Sequence, residues 1–213
     1  PLIATESLVP PPALLREQAD TLEREARARM HAWADLLENP PAGTRERLRA
    51  VNDHFNTLAF VDDEWLWSVA DYWATPAEFL AQGAGDCEDF SIAKYFTLVA
   101  MGVPESRLQL TYVKALELGQ AHMVLTYYPS PGAVPLVLDN LKPDIVPATQ
   151  RRDLLPVYSF NGTGLWLASQ RGASERVGSS QRLSRWRDLL ARVAGRAPAL
   201  PPALSPAQAE ERP

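Results

Sequence analysis

The sequence predicts an α+β domain: N-terminal helices packed on an antiparallel sheet, with a cysteine-bearing helix at the join. Three observations carry this. Before residue 104, apolar residues recur at three- and four-residue spacing between Pro and Gly stops. From Arg107 onward, short runs alternate with period two and are separated by turn residues. Between the two halves lies Gly83-Ala84-Gly85-Asp86-Cys87-Glu88-Asp89, which holds the only cysteine in 213 residues.

Pro10-Pro11-Pro12 closes an irregular lead over 1–12. A charged helix is expected from about Ala13 to Glu38, striped by Leu14, Leu15, Leu22, Met30, Trp33, Leu36 and Leu37, and stopped by Asn39-Pro40-Pro41. A second helix, Thr44 to Asn56, places Leu48, Val51 and Phe55 on one face. His31 and His54 sit in these charged stretches and read as surface or cap residues. Phe60 to Trp73 is acidic and rich in aromatics, which suits a core wall or a substrate groove. Thr75-Pro76-Ala77-Glu78 combines a capping box with Pro at the first helical position, and opens a short helix to Ala81.

At the cysteine, Asp86 suits the N-cap, which makes Cys87 N1, Glu88 N2 and Asp89 N3 of a helix stopped at Gly102. A sulfur there sees unpaired N–H groups and the positive helix end, which favour thiolate. Three adjacent carboxylates oppose a further anion. The conflict points to a missing cation, and carboxylates crowded on a turn are what Ca²⁺ prefers. The plainer alternative is a small buried hydrophobe beside capping acids.

Strands are expected at Arg107–Ala115, Ala121–Tyr128 and Ala133–Asp139, the last two joined by the turn Pro129–Gly132. A four-residue loop pairs Tyr128 with Ala133 and sets His122 directly opposite Asp139, with Cβ atoms about 5 Å apart. The carboxylate would then accept Nδ1–H and leave Nε2 towards the cysteine. A sheet histidine bonded to a carbonyl and a strand-ending aspartate are the alternatives. Val157–Phe160 and Leu165–Leu167 flank Asn161-Gly162-Thr163-Gly164 as a closing hairpin. The domain is thus expected over 13–170. Residues 171–213 form an Arg/Pro-rich tail with one amphipathic helix near Gln181–Val193, otherwise disordered.

No apolar run approaches a membrane span, so direct membrane insertion is not expected. A net charge of −5 argues against a nucleic-acid partner. One cysteine excludes an internal disulfide and leaves the compartment open. The chain begins at Pro1 rather than Met, which reads as a processed or trimmed product, and any export signal or N-terminal anchor would have been lost with that piece.

Trp73-Ala74-Thr75-Pro76, Gly85-Asp86-Cys87-Glu88-Asp89, Lys94-Tyr95, His122-Met123-Val124-Leu125 and Pro135-Leu136-Val137-Leu138-Asp139-Asn140-Leu141 resemble motifs of the bacterial transglutaminase-like cysteine proteinases. Arg152 to Asn161 and Gly164 to Leu167 are similar to that family's closing segment, so the resemblance runs from about Val51 to Leu167. It implies a papain/transglutaminase-like fold and a Cys87–His122–Asp139 triad. It also implies Ca²⁺ held by Asp86 and Glu88, with Asp89 as third ligand. By the same resemblance the location is the periplasm and the substrate is a large surface adhesin, cut near its N-terminus at a pair of small residues so that biofilm disperses. The inhibitory partner would be an inner-membrane receptor that responds to cyclic-di-GMP. Two rival functions remain at this point: acyl transfer by a transglutaminase or amidase on the same triad, and a non-catalytic binding module.

Overall fold

The computed structural model describes residues 8–168 and 174–195. Most of the expected irregular lead and the expected disordered end lie outside them. The N-terminal half holds α1 (Pro12–Ala19), α2 (Arg24–Glu38), α3 (Thr44–Phe55), β1 (Ala59–Phe60), α4 (Asp63–Leu66), α5 (Pro76–Gln82), β2 (Ala84–Gly85) and α6 (Cys87–Ala100). The C-terminal half holds β3 (Leu108–Ala115), β4 (Gln120–Tyr127), β5 (Leu136–Leu138), β6 (Val146–Pro147), β7 (Leu154–Phe160), β8 (Leu165–Ala168), β9 (Ser174–Gly178) and α7 (Ser184–Val193).

The single helix expected over 13–38 is two helices that double back. Arg16 of α1 reaches Asp35 at 2.5 Å and Glu38 at 2.7 Å on α2. In one continuous helix, residues 16 and 35 would stand about 28 Å apart. The break is held by Arg27, whose guanidinium donates to the carbonyls of Asp20 and Leu22. Helix-favouring residues on both sides of Asp20-Thr21 hide this turn from periodicity alone.

α6 is the central element. Every residue from Asp89 to Val99 is buried, as befits a helix enclosed on all sides rather than one laid on a surface. The seven-stranded antiparallel sheet, ordered β6-β5-β4-β3-β7-β8-β9, packs one face against it. Leu110, Met123, Leu125, Leu138 and Phe160 supply that face to the main core. Val113, Val124 and Val137 form a small second cluster on the other.

Tyr127 pairs with Leu136 and Leu125 with Leu138, so the β4–β5 connection spans Tyr128 to Pro135, longer than the expected four-residue loop. Pro135 has no N–H for the ladder, and its carbonyl instead accepts from Ala148. Continuing the observed register sets Asp139 opposite Val124 rather than His122. The shift is two residues, so side-chain alternation keeps Asp139 and His122 on one face.

Residues 174–195 join the same core. β9 pairs with β8, and α7 buries Trp186 and Leu189 completely. Trp186 stacks on Phe96 at 5.7 Å and meets Phe160 edge-on at 5.3 Å. The helix expected near Gln181–Val193 is therefore a packed element.

Candidate active site

The start of α6 follows the local signals closely. Asp86 is the N-cap and accepts from the Glu88 N–H, while Asp89 at N3 accepts from the Asp86 N–H, closing a capping box. The second Asp89 oxygen accepts from the Ala74 N–H at 2.7 Å, which ties the preceding segment to the helix start. Position 85 has room only for glycine: a Cβ there would lie 2.4 Å from Asp89 Oδ2 and 2.8 Å from the Phe79 ring. Cys87 is half-buried, and its thiol donates to Glu88 Oε2 at 2.7 Å. Burial, then the charges of Glu88 and Asp86, push the thiol well above its ordinary value, while the Met123 N–H facing the sulfur pulls the other way. As it stands, the group is a thiol.

His122 and Asp139 are both 2 % exposed, and His122 Nε2 lies 2.8 Å from Asp139 Oδ1. The nitrogen differs from the expected Nδ1. The two-residue diagonal between them explains it, because the far side of the imidazole spans that offset. Asp139 Oδ1 also accepts from the Leu141 N–H. Its other oxygen forms an ion pair with Arg151 Nη2 at 2.7 Å, at an angle short of hydrogen-bond geometry. Burial pushes Asp139 up, but His122, the Leu141 N–H and Arg151 outweigh it and hold the carboxyl below its ordinary value. Arg151 is itself buried and fixed by Asp153 through two nitrogens. Sequence reasoning misses Arg151, since nothing in the Arg151-Arg152 pair marks which one turns inward.

By strand alternation His122 leaves the sheet on the face of Val124, whereas Met123 enters the core beneath α6. The sulfur faces the Met123 N–H, and Ser91 Oγ donates to the Met123 carbonyl at 3.1 Å. The first turns of α6 are thereby bound to β4 one residue from His122. Lys94, two turns further along α6, is 1 % exposed with its ammonium 5.9 Å over the Phe90 ring. Burial lowers it to about 7, against the charges of Asp139 and Asp53.

Beside the cysteine lies a nest of acids. Asp86, Cys87 and Glu88 place ligand atoms within 4.8 Å of one another, and so do Asp63, Asp86 and Asp89. Asp63 is the member that sequence reasoning misses. It is one of three consecutive acids, Asp62-Asp63-Glu64, and only tertiary structure selects it. The selection comes from the parallel β1–β2 ladder, Ala59↔Ala84 and Phe60↔Gly85, extended by Val61 N–H to Gly85 O. Asp63 Oδ2 accepts from the Tyr72 N–H at 2.5 Å, while its buried Oδ1 has no hydrogen-bond partner among the described residues.

Burial, then the charges of Glu88 and Asp71, push Asp63 up to about 6 against the Tyr72 N–H. Burial and the charges of Glu88, Asp89 and Asp63 push Asp86 up to about 10. Asp89 is also raised well above its ordinary value, chiefly by burial. None of the ion pairs among the described residues involves these four acids. An all-oxygen donor set with an orphaned buried oxygen and no neutralising side chain fits a hard divalent cation.

Within the aromatic stretch, the core-wall reading holds for Trp73. Trp73 is buried and stacks on Phe160 at 5.6 Å, whereas Trp65 is 62 % exposed.

The structure thus places a helix-start cysteine and, on β4, a histidine bonded to Asp139 just past β5. The sequence model described as bacterial transglutaminase-like cysteine proteinase matches residues 21–167. The chain belongs to this family. Solved structures similar to this chain include LapG from Legionella pneumophila. The EGTA-treated form is 42% identical, with a TM-score of 0.77 over 91% of this chain and 99% of that one. The calcium-bound form is 42% identical, with a TM-score of 0.75 over 85% of this chain and 98% of that one. Comparison with curated protein sequences gives no match. The fold is therefore transglutaminase-like, with a mixed helical and antiparallel-sheet architecture, and the chain is a member of a cysteine protease family.

Proposed function

We propose that this protein is a calcium-dependent cysteine endopeptidase of the periplasm. It cuts the N-terminal region of a large surface adhesin, and release of that adhesin promotes biofilm dispersal. Control would come from an inner-membrane receptor that sequesters the protease according to cyclic-di-GMP. The observation that carries the catalytic part is the buried His122–Asp139 pair, one residue from the amide that faces the Cys87 sulfur. The Legionella pneumophila relative, described in calcium-bound and EGTA-treated forms, supports the metal.

In this reading His122 takes the thiol proton at Nδ1 as sulfur attacks the scissile carbonyl, and Asp139 holds the imidazole through Nε2. The backbone N–H of Cys87, at the positive end of α6, meets the developing oxyanion. His122 then protonates the leaving amine, and the same nitrogen deprotonates the water that hydrolyses the thioester. Asp63, Asp86, Glu88 and Asp89 would hold Ca²⁺, whose chemistry there is to offset their mutual repulsion.

The test is incubation with an N-terminal fragment of a giant adhesin encoded beside this protein, with a primary amine present, read by mass spectrometry. Free new termini that vanish with chelator and return with Ca²⁺ are expected. An amine adduct would instead assign acyl transfer, and no product would leave a binding module. Adding the periplasmic domain of the cyclic-di-GMP receptor is expected to suppress cleavage, and undiminished cleavage at saturation would remove the regulatory part.

A further inference from the structure

We propose that Lys94 is a positioning residue for the catalytic pair. Linked by water to Asn52, Asn56 and Asn140, its enclosed ammonium fastens the turn that carries Asp139 to the helix that carries Cys87. The inference rests on the endopeptidase reading and adds to it a residue that touches neither substrate nor the reacting atoms.

Residues four and seven places along a helix return to the same face. From Cys87 these are Ser91 and Lys94, so one face of α6 carries the nucleophile, a tether and an ammonium in line. Ser91 is the tether, because its hydroxyl donates to the Met123 carbonyl of β4. Lys94 lies one turn deeper, fully buried, with its Nζ over the Phe90 ring. Among the described residues, nothing gives that Nζ a hydrogen bond or an ion pair. The negative charges that reach it are those of Asp139, past the end of β5, and Asp53 of α3.

The same two elements supply acceptors. α3 packs against α6 and presents Asn52 and Asn56, four residues apart and so on one face. Both amides donate to the turn, Asn52 Nδ2 to the Pro143 carbonyl at 2.8 Å and Asn56 Nδ2 to the Asp139 carbonyl at 2.9 Å. Oδ1 of each is buried without a hydrogen-bond partner among the described residues, and so is Oδ1 of Asn140, next to Asp139. A lysine ammonium has three protons to donate. Orphaned oxygens and unplaced donors borne by elements packed together are complementary, and ordered water joins enclosed polar groups of this kind. The consequence is mechanical: α3 already grips the turn over 139–143, and Lys94 adds α6 to the grip. Cys87 heads α6 and Asp139 orients His122, so the cluster sets the placement of sulfur against imidazole from behind.

The test uses the full chain with saturating Ca²⁺ and iodoacetamide as probe, at about pH 6, below the value of about 7 to which burial lowers Lys94. Alkylation of Cys87, which forms a C–S bond and releases iodide, is followed by intact mass. Lys94→Met is expected to slow it about fivefold, with the denaturation midpoint unchanged or raised, since an apolar chain of similar length replaces a buried charge. Added to Asp139→Asn, the same substitution is expected to slow alkylation no further, because Lys94 acts through that carboxylate. The His122 N–H proton bonded to Asp139, seen downfield by NMR and assigned by its loss in His122→Ala, should broaden in Lys94→Met. A Lys94→Met protein with the parent rate and a sharp proton signal, or full additivity with Asp139→Asn, overturns the role. Should Lys94→Met not fold, Asn140→Ala, which keeps the lysine, decides: alkylation about threefold slower supports the clamp and the parent rate overturns it. If the parent Cys87 reacts no faster than a free thiol and His122→Ala changes nothing, the endopeptidase reading falls, and the positioning role with it.

Discussion

Asp139 and the acid nest beside Cys87 are shifted in opposite directions by their surroundings. Asp139 is enclosed by His122, Arg151 and a backbone N–H, and stays below its ordinary carboxyl value despite burial. Asp63 and Asp89 are buried and Asp86 half-buried, with mainly one another and Glu88 for company, and all three rise. Burial acts the same way on both groups, so the difference lies in the partners. The first group is complete within the chain, whereas the second lacks a positive charge.

The largest effect in breaking that contrast is expected from Asp139→Ala. It leaves His122 without its carboxylate and Arg151 with Asp153 alone, and chemical denaturation should show a loss of about 1–3 kcal/mol. Turnover on an adhesin fragment should fall on the order of a thousandfold. A variant of unchanged stability would show that Arg151 had found water instead.

Calcium comes next. At a hundredfold excess over its dissociation constant, stabilisation of about 2.7 kcal/mol is expected in a thermal melt. The pH trend sharpens this. Raised carboxyl values mean that the metal-free fold binds protons the unfolded chain releases. Its stability from the nest is therefore full below the ordinary carboxyl range and is lost as pH rises through about 6 at Asp63 and onward to about 10 at Asp86. Metal-free protein should melt higher at about pH 5.5 than at pH 8. Saturating Ca²⁺ should reverse the order, because the cation binds only the deprotonated set.

Asp63→Asn should raise metal-free stability by about 1 kcal/mol while weakening Ca²⁺ about tenfold by calorimetry. Stabilisation on neutralising a nest acid, against destabilisation at Asp139, is the clearest form of the contrast. The smallest effect is expected from Arg192→Lys. Arg192 of α7 bonds Glu78, the Tyr72 hydroxyl and the Trp73 carbonyl, and so braces the segment whose amides hold Asp63 and Asp89. A lysine keeps the charge and loses the fork, which should weaken Ca²⁺ about threefold.

What could be read in advance follows the range of the forces involved. The α6 cap, the α5 capping box and the Gly102 stop are local, and Asp86, Cys87 and Asp89 take the helix positions their residue types indicate. His122 and Asp139 share a face although the loop length is misjudged, because the two-residue shift set by Pro135 preserves parity. Asp63 and Arg151 are not legible, since each is chosen from adjacent like residues by contacts with distant chain. The α7 helix is visible as a pattern, but its slot among Tyr95, Phe96 and Phe160 exists only after the sheet has closed.

The β1–β2 ladder pairs strands in parallel, which makes the chain between them a loop pinned at both mouths. Upstream, Ala59 and Val61 N–H groups are stitched to Gly83 and Gly85; downstream, Tyr72 and Ala74 are fastened to Asp63 and Asp89. Between the pins, Trp65 and Val69 are exposed, and Ser68 holds a left-handed backbone at φ 59°. A nick there would part the covalent chain yet leave every acid of the nest moored, so a protease clipped at this exposed bend would keep its ion-holding corner intact.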